Sequence, residues 1–203
     1  AIVQGWYPGA QGGRAIAEML FGDYSPEGKL PVTFYRSDKE LPDFTDYNMK
    51  GRTYRYMEQD ALYPFGYGLS YTDFELTNVS LDSDVIEPEK TIQVKATLKN
   101  IGARSGGETI QVYVKALRED APNWQLKGLK KLHLHPGDEM EVTIPLSDTA
   151  FGLYDEEGRL MLHQGDYEVY IGTSQPDRRS IALTGKSPYK KAVKCRNSVV
   201  LES

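Results

Sequence analysis

Acidic side chains are the most numerous groups here that could do chemistry, with 29 Asp and Glu in a chain of 203 residues. Two facing carboxyls can divide general acid and base work when their surroundings set their pKa values apart. Glu18 falls on a helical stretch and reads as part of its solvated face. Asp43, Asp46, Glu58 and Asp60 fall in a polar, irregular stretch with no apolar pocket to raise a pKa. Most exposed acids are solvated side chains, and these are read that way. His133 and His135 share one face of an extended segment, and His163 is the third and last histidine. A zinc site needs three or four converging ligands. No cysteine or acid stands at a telling spacing from this pair, and Leu132 and Leu134 place it on the polar face of a strand.

Trp6-Tyr7-Pro8-Gly9 precedes a helix start, where free N–H groups can receive an anion or hydroxyls. A structural turn with Trp6 as packing is the stronger reading. Arg52, Tyr54, Arg55 and Tyr56 combine aromatic faces with guanidinium groups. Such a set suits a carbohydrate approached from the side, or an interdomain tether of cation–π and hydrogen-bond contacts. Asn78-Val79-Ser80 is a formal glycosylation sequon, placed in a predicted strand. No residue stands out as catalytic, cofactor-binding or metal-binding, and no cofactor is implied.

The elements that must position these groups change character along the chain. Ala1-Ile2-Val3 reads as a short buried strand. Pro8-Gly9 is a turn, and a helix is expected from about Arg14 to Phe21, with Ile16, Met19 and Leu20 on one stripe and Gly22 as a left-handed cap. Leu30 to Phe34 reads as a strand that Pro31 confines to an edge or a start. Residues 35–61 are polar and irregular, apart from Gly51 to Met57, where Tyr54 and Tyr56 would share one side of an extended chain.

From Phe74 the period is two. Phe74 and Leu76, then Val79 and Leu81, alternate out of phase, which predicts a bulge or bend. Ile92 to Leu98, Ile110 to Val114, Met140 to Leu146 and Tyr167 to Ile171 each alternate, and Ile181 with Leu183 suggests a last strand. Roughly seven short strands with turns between them describe an immunoglobulin or fibronectin sandwich. The tail beyond Lys186, with Lys190, Lys191, Lys194 and Arg196, is expected to be peripheral.

Composition narrows the classes. A formal net charge of -5 with no concentrated basic face argues against nucleic acid as a partner. No apolar run approaches the length needed to span a bilayer. The single Cys195 cannot form an intramolecular disulfide and leaves the redox compartment open. The chain starts inside an apolar run without an initiator Met, and a piece of a longer protein is expected.

Leu62 to Phe74, Leu-Tyr-Pro-Phe-Gly-Tyr-Gly-Leu-Ser-Tyr-Thr-Asp-Phe, is the pivot between the two halves. Gly66 and Gly68 give backbone freedom, while five aromatic side chains demand packing. This stretch resembles the connector of glycoside hydrolase family 3, the family of β-glucosidases and β-xylosidases. Gly5 to Phe34 resembles the end of that family's second domain, and Leu126 to Leu146 a segment of its C-terminal domain. The matches occur in the family's order.

The resemblance implies a mainly β fold, a fibronectin type III-like (immunoglobulin-like) β-sandwich preceded by the C-terminal remnant of an α/β sandwich domain. The expected division is a remnant at 1–46, a connector at 47–73, the sandwich at 74–186 and a tail at 187–203. The family's retaining hydrolysis uses two carboxyls about 5–5.5 Å apart, on segments absent here, so no catalytic residue carries over. In the family the Trp6 turn lies near the domain interface beside the active site, and Gln11 stands where Glu is frequent. The implied function is that of a C-terminal piece of a retaining β-glycosidase acting on terminal β-linked sugars, with the sandwich structural and the piece alone inactive. Its implied partners are the missing N-terminal catalytic domains, with the carbohydrate substrate for the parent, no nucleic acid and no membrane. Self-association through the truncated N-terminal unit is the alternative fate of that surface. The rival reading is a non-catalytic carbohydrate-binding or adhesion module, which requires an exposed aromatic row on a sheet face; the polar faces here carry Lys, Glu, Gln and Thr instead.

Overall fold

A computed structural model describes residues 2–202. Helix α1 (Gly12–Phe21) opens the described chain, and the helical turn α2 (Thr53–Tyr56) follows a largely irregular stretch. The strands are β1 (Phe74–Leu81), β2 (Val85–Ile86), β3 (Thr91–Asn100), β4 (Gly106–Ala116), β5 (Gln125–Leu134) and β6 (Glu139–Ser147). They continue as β7 (Leu153–Tyr154), β8 (Leu160–Leu162), β9 (Gly165–Gly172), β10 (Tyr189–Cys195) and β11 (Val199–Glu202), with α3 (Arg178–Thr184) between β9 and β10.

One sheet runs β1-β3-β6 and the other β2-β10-β9-β4-β5, with a small β11-β8-β7 sheet beside them. The alternating apolar residues decide how they pack. Val94, Ala96 and Leu98 of β3 and Ile144 and Leu146 of β6 meet Ile110, Val112, Val169, Ile171 and Val193 in one buried core. Each such fully buried branched side chain contributes roughly 1.5–3 kcal/mol. The phase break in β1 is a bulge: pairing with β3 shifts register between Thr77 and Ser80, where Asn78 adopts φ 52°.

Several local expectations give way to tertiary context. Ile2 and Val3 are exposed and lie in no strand; Ala1 falls outside the described residues. Leu30 to Phe34 is not a strand of a sheet but runs against the connector, joined by one bridge between Phe34 and Tyr63. Leu30 N–H donates to Tyr67 at 2.9 Å and Phe34 N–H to Tyr63 at 2.9 Å, while Pro31 between them has no donor to extend the ladder. Residues 53–56 are helical, not extended, because Gly51 at φ 73° and Thr53 at φ 54° turn the chain. Ile181 and Leu183 belong to a helix: Asp177 caps it by accepting from Ser180 N–H at 2.7 Å, and Gly185 closes it in the left-handed region. Two residues two apart do not establish a period.

The tail is the largest correction. Residues 189–195 form β10, hydrogen-bonded to β9 on one side and β2 on the other. Val193 and Cys195 are buried at 2% and 1% exposure. Lys190 and Lys194, which helped suggest a peripheral segment, alternate outward from a strand inside the sheet, and Lys190 pairs with Glu168 across it. Lys191 shares the face of Val193 and Cys195 and is half-buried.

Candidate functional site

Strand β4 is buried on both faces, unlike the half-buried strand its alternation describes. The connector covers its outer side. Gln111 amide N–H groups donate to the Gly66 and Thr173 carbonyls at 2.9 Å each, and the Tyr113 hydroxyl donates to Gln111 Oε1 at 2.6 Å. Burial pushes the Tyr113 phenol far above its ordinary pKa. Tyr54 stacks on Phe65 at 4.2 Å between ring centres, and both rings stand edge-on to Tyr113. Gly66, at φ 77°, lets the chain pass where a Cβ would lie 2.2 Å from Gln111 Oε1. Gly68 lets it pass the Gly28 carbonyl, which a Cβ would meet at 2.2 Å. Beside it, Lys29 and Glu108 form a nearly buried ion pair at 2.8 Å.

The arginine-tyrosine set works as a tether. Arg55 donates to Gln125 at 2.7 Å, the Tyr54 hydroxyl accepts from Leu126 N–H at 3.1 Å, and Arg55 sits 5.7 Å over the Tyr56 ring. Arg52 instead staples the preceding loop through the carbonyls of Asn48, Asp43 and Asp46. Trp6 and Tyr7 are exposed, at 49% and 100%, so Trp6 is not core packing in this chain. Gln11 precedes α1 without a side-chain cap bond. Asn78 of the sequon is exposed and donates weakly to Thr97 at 3.3 Å.

The acids are scattered and locally engaged. Glu18 pairs with Arg14, Glu58 with Lys50 at 3.6 Å and Asp60 with Arg178 at 4.0 Å. Asp43 lies below the usual carboxylate range because the Thr45 hydroxyl and amide donate to it, and Asp46 because Asn48 does. The rings of His133 and His135 stand 6.3 Å apart, but His133 faces Glu27 and His135 faces Ser105. His163 lies elsewhere, lowered first by burial and then by Arg118. Among the described residues no three His, Cys, Asp or Glu side chains converge as metal ligands.

Sequence reasoning passed over Glu27, which lies in an early loop and reaches β5. Its carboxylate takes Lys131 at 2.8 Å and His133 at 2.7 Å. Burial opposes ionisation of Glu27, but hydrogen bonds from Lys131 and His133 outweigh it and lower its pKa. A carboxyl with a lowered folded-state pKa stabilises above its ordinary pKa and loses that contribution as pH falls through the folded value. Glu27→Gln is therefore expected to cost roughly 1–2 kcal/mol at pH 7, as a charge-assisted pair does. The difference from the parent should shrink below about pH 4.3, the ordinary glutamate value. Urea midpoints of both proteins across pH 7 to 3 check this, and a pH-independent gap would defeat it.

Two clefts border the junction. The first, about 450 Å³, is lined by Lys29, Glu108, Asp73 and Lys186 among others, and its charges pair with one another. The second, about 350 Å³, lies between α2, the loop before β5 and the start of α3, with Thr33, Tyr54, Trp124 and Gln175 in its walls.

Comparison with known proteins fits this arrangement. The family model for the glycosyl hydrolase family 3 C-terminal domain matches residues 1–71, and that for a fibronectin type III-like domain matches residues 108–175. A xylan 1,4-beta-xylosidase of Xylanibacter ruminicola is 45% identical over 91% of this chain, which spans 21% of that protein. A periplasmic beta-glucosidase of Salmonella typhimurium is 36% identical over 85% of the chain and 24% of its own length. The solved structure of beta-glucosidase 3B from Thermotoga neapolitana, in complex with alpha-D-glucose, superposes with a TM-score of 0.82 at 29% identity, covering 98% of this chain and 28% of that one. The chain thus spans about a fifth to a quarter of the length of the curated relatives it matches.

Proposed function

Because this chain belongs to glycoside hydrolase family 3, as the C-terminal part of that architecture, we propose that it serves a retaining β-glycosidase that removes terminal β-linked sugars. The observation that carries this is the match across 91% of the chain to a β-xylosidase several times longer. The candidate acids Glu18, Asp43, Asp46, Glu58 and Asp60 are each engaged by a cation or by local donors. Retaining hydrolysis asks for a facing pair about 5–5.5 Å apart. On this reading the chain braces catalytic domains and does not itself cleave.

The surface supports a missing neighbour. Around α1, Trp6, Tyr7, Leu20 and Phe21 are exposed, the last at 86%. The opposite side of α1 is docked: Met19 is buried, the Tyr71 hydroxyl donates to its carbonyl at 3.1 Å, and Arg104 donates to the Gly22 carbonyl at 2.9 Å. An apolar face this concentrated marks a protein interface, and we assign it to the N-terminal domains of the parent. In their absence, self-association through the same face is the expected substitute.

The isolated chain is expected to release no nitrophenol from aryl β-glucosides or β-xylosides, while the longer enzyme carrying it turns over at least one. Activity of the isolated chain that survives repurification and disappears on substituting one of its own acids would overturn the bracing role. An inactive longer enzyme would overturn the glycosidase reading.

A further inference from the structure

We infer that the loop before α2, residues 43–49, is a second docking point for the upstream catalytic domains of the parent, anchored by Phe44 and Tyr47. This rests on the reading of the chain as the C-terminal part of a longer enzyme. The loop is separate from the face around α1. Helix α1 is held by Tyr71 and by Arg104, which precedes the start of β4. The loop leads into α2, which is held by Gln125 and Leu126, and Gln125 pairs with Val114 near the end of β4. The two surfaces therefore sit toward opposite ends of the β4–β5 pair.

The loop is shaped by its own polar groups. Residues 43–50 are all exposed, so no core holds them. The Asp43 carboxylate accepts from the Thr45 amide at 2.8 Å and the Thr45 hydroxyl at 2.6 Å. Asp46 accepts from the Asn48 amide and side chain at 2.9 Å each. The Arg52 guanidinium donates to the carbonyls of Asp43, Asp46 and Asn48, and the Tyr35 hydroxyl donates to the Gly51 carbonyl at 2.9 Å. The side chains of Phe44 and Tyr47 take part in none of these bonds and are 95% and 90% exposed. Leu41 and Met49, on either side in sequence, are exposed too. A loop whose shape is fixed in advance loses little entropy when a partner covers it. Aromatic side chains carried on such a loop are the usual anchors of an interface.

The distribution of exposed aromatics indicates what covers the loop. Among the described residues the four most exposed aromatic side chains are Tyr7, Phe44, Tyr47 and Phe21. All four lie within residues 1–71, the stretch that matches the glycosyl hydrolase family 3 C-terminal domain. From residue 74 onward Tyr154 and Tyr189 are the only exposed aromatics among the described residues. The sandwich thus covers most of its own aromatic surface, and the open surface belongs to the part that relatives continue upstream. The chain spans 21% and 24% of the two relatives above, so most of such a parent is upstream chain that can supply the cover. A sugar would stack on ring faces and leave Leu41 and Met49 open, whereas a protein surface covers all four side chains.

Amide exchange across residues 43–49 is expected to be at least about tenfold slower in the longer enzyme than in the isolated chain. Phe44→Ser and Tyr47→Ser should leave the melting temperature of the isolated chain unchanged, because neither ring is covered there. Each should lower that of the longer enzyme by about 2 °C or more. Tyr154→Ser, at a ring 70% exposed on β7, sets the baseline in both proteins. Equal exchange in the two proteins, or a loss in the longer enzyme no greater than that of Tyr154→Ser, would overturn the inference. Protection that grows with the concentration of the isolated chain would assign the loop to a second copy. Protection that appears only when xylobiose or cellobiose is added to the longer enzyme would assign it to substrate. Either result would overturn the assignment to upstream domains. Exchange and melting need no turnover, so an inactive longer enzyme would overturn the glycosidase reading and leave this one standing.

Discussion

Gly68→Ala is expected to destabilise the chain by about 3 kcal/mol or more, and to loosen the connector from the sandwich. A Cβ at this position would lie 2.2 Å from the Gly28 carbonyl oxygen and 3.3 Å from Lys29 Cδ. The near obstacle is backbone, which cannot rotate away as a side chain can. Relief therefore requires the connector and the 23–29 loop to separate. Overpacking alone costs about 1–3 kcal/mol. Separation also strips Lys29 of its bond to the Gly68 carbonyl, 3.1 Å, and strains its nearly buried pair with Glu108. Disturbing one partner of a buried pair costs about 3–5 kcal/mol at the limit.

Two other glycines calibrate the measurement. Gly137, at φ 83°, has nothing within 4 Å, so alanine there meets only backbone strain of about 1–2 kcal/mol. Gly13 lies inside α1 with open space around it, and alanine there should stabilise by roughly 0.5–1 kcal/mol. Urea denaturation of the three variants ranks the effects. A Gly68→Ala cost no greater than that of Gly137→Ala would show that the close approach does not hold the junction.

A chain ending at residue 186 is expected to lose cooperative folding of the sandwich, although the alternating strands that suggest the domain all precede that point. The truncation removes β10 from between β2 and β9. It strips the core of Val193 and Cys195 and leaves β2 without its one strand partner among the described residues. It also converts β9, whose Tyr167, Val169 and Ile171 are buried, into an open edge that templates aggregation. With domain stabilities of about 5–15 kcal/mol, losing a whole interior strand exceeds what the remaining contacts can offset. Amide spectra of the two chains decide the matter: a dispersed native pattern from the shortened chain would refute it.

The sequence by itself determined the sandwich. Alternation at Ile92–Leu98 and Met140–Leu146 places β3 and β6 with their inner faces assigned, because one buried face per strand leaves a period of two. It also determined the bulge in β1, since an inserted residue must reverse the phase of Val79 and Leu81. The connector was legible as a packed element from its aromatics and glycines, and the Gly22 cap of α1 from its place after the apolar stripe.

What the tertiary structure decided are the places where a segment's surroundings come from distant residues. Lys190 and Lys194 mark a tail in sequence and the solvent side of β10 in space, because burial of Val193 depends on β9 and β2. Tyr113 and Gln111 look like the polar face of β4 until the connector closes over them. Tyr54 and Tyr56 turn helical because Gly51 and Thr53 take left-handed backbone that no periodicity announces. The second cleft was not legible at all. Its walls draw on Thr33, Tyr54, Trp124 and Gln175 from separate stretches, which only the fold brings together.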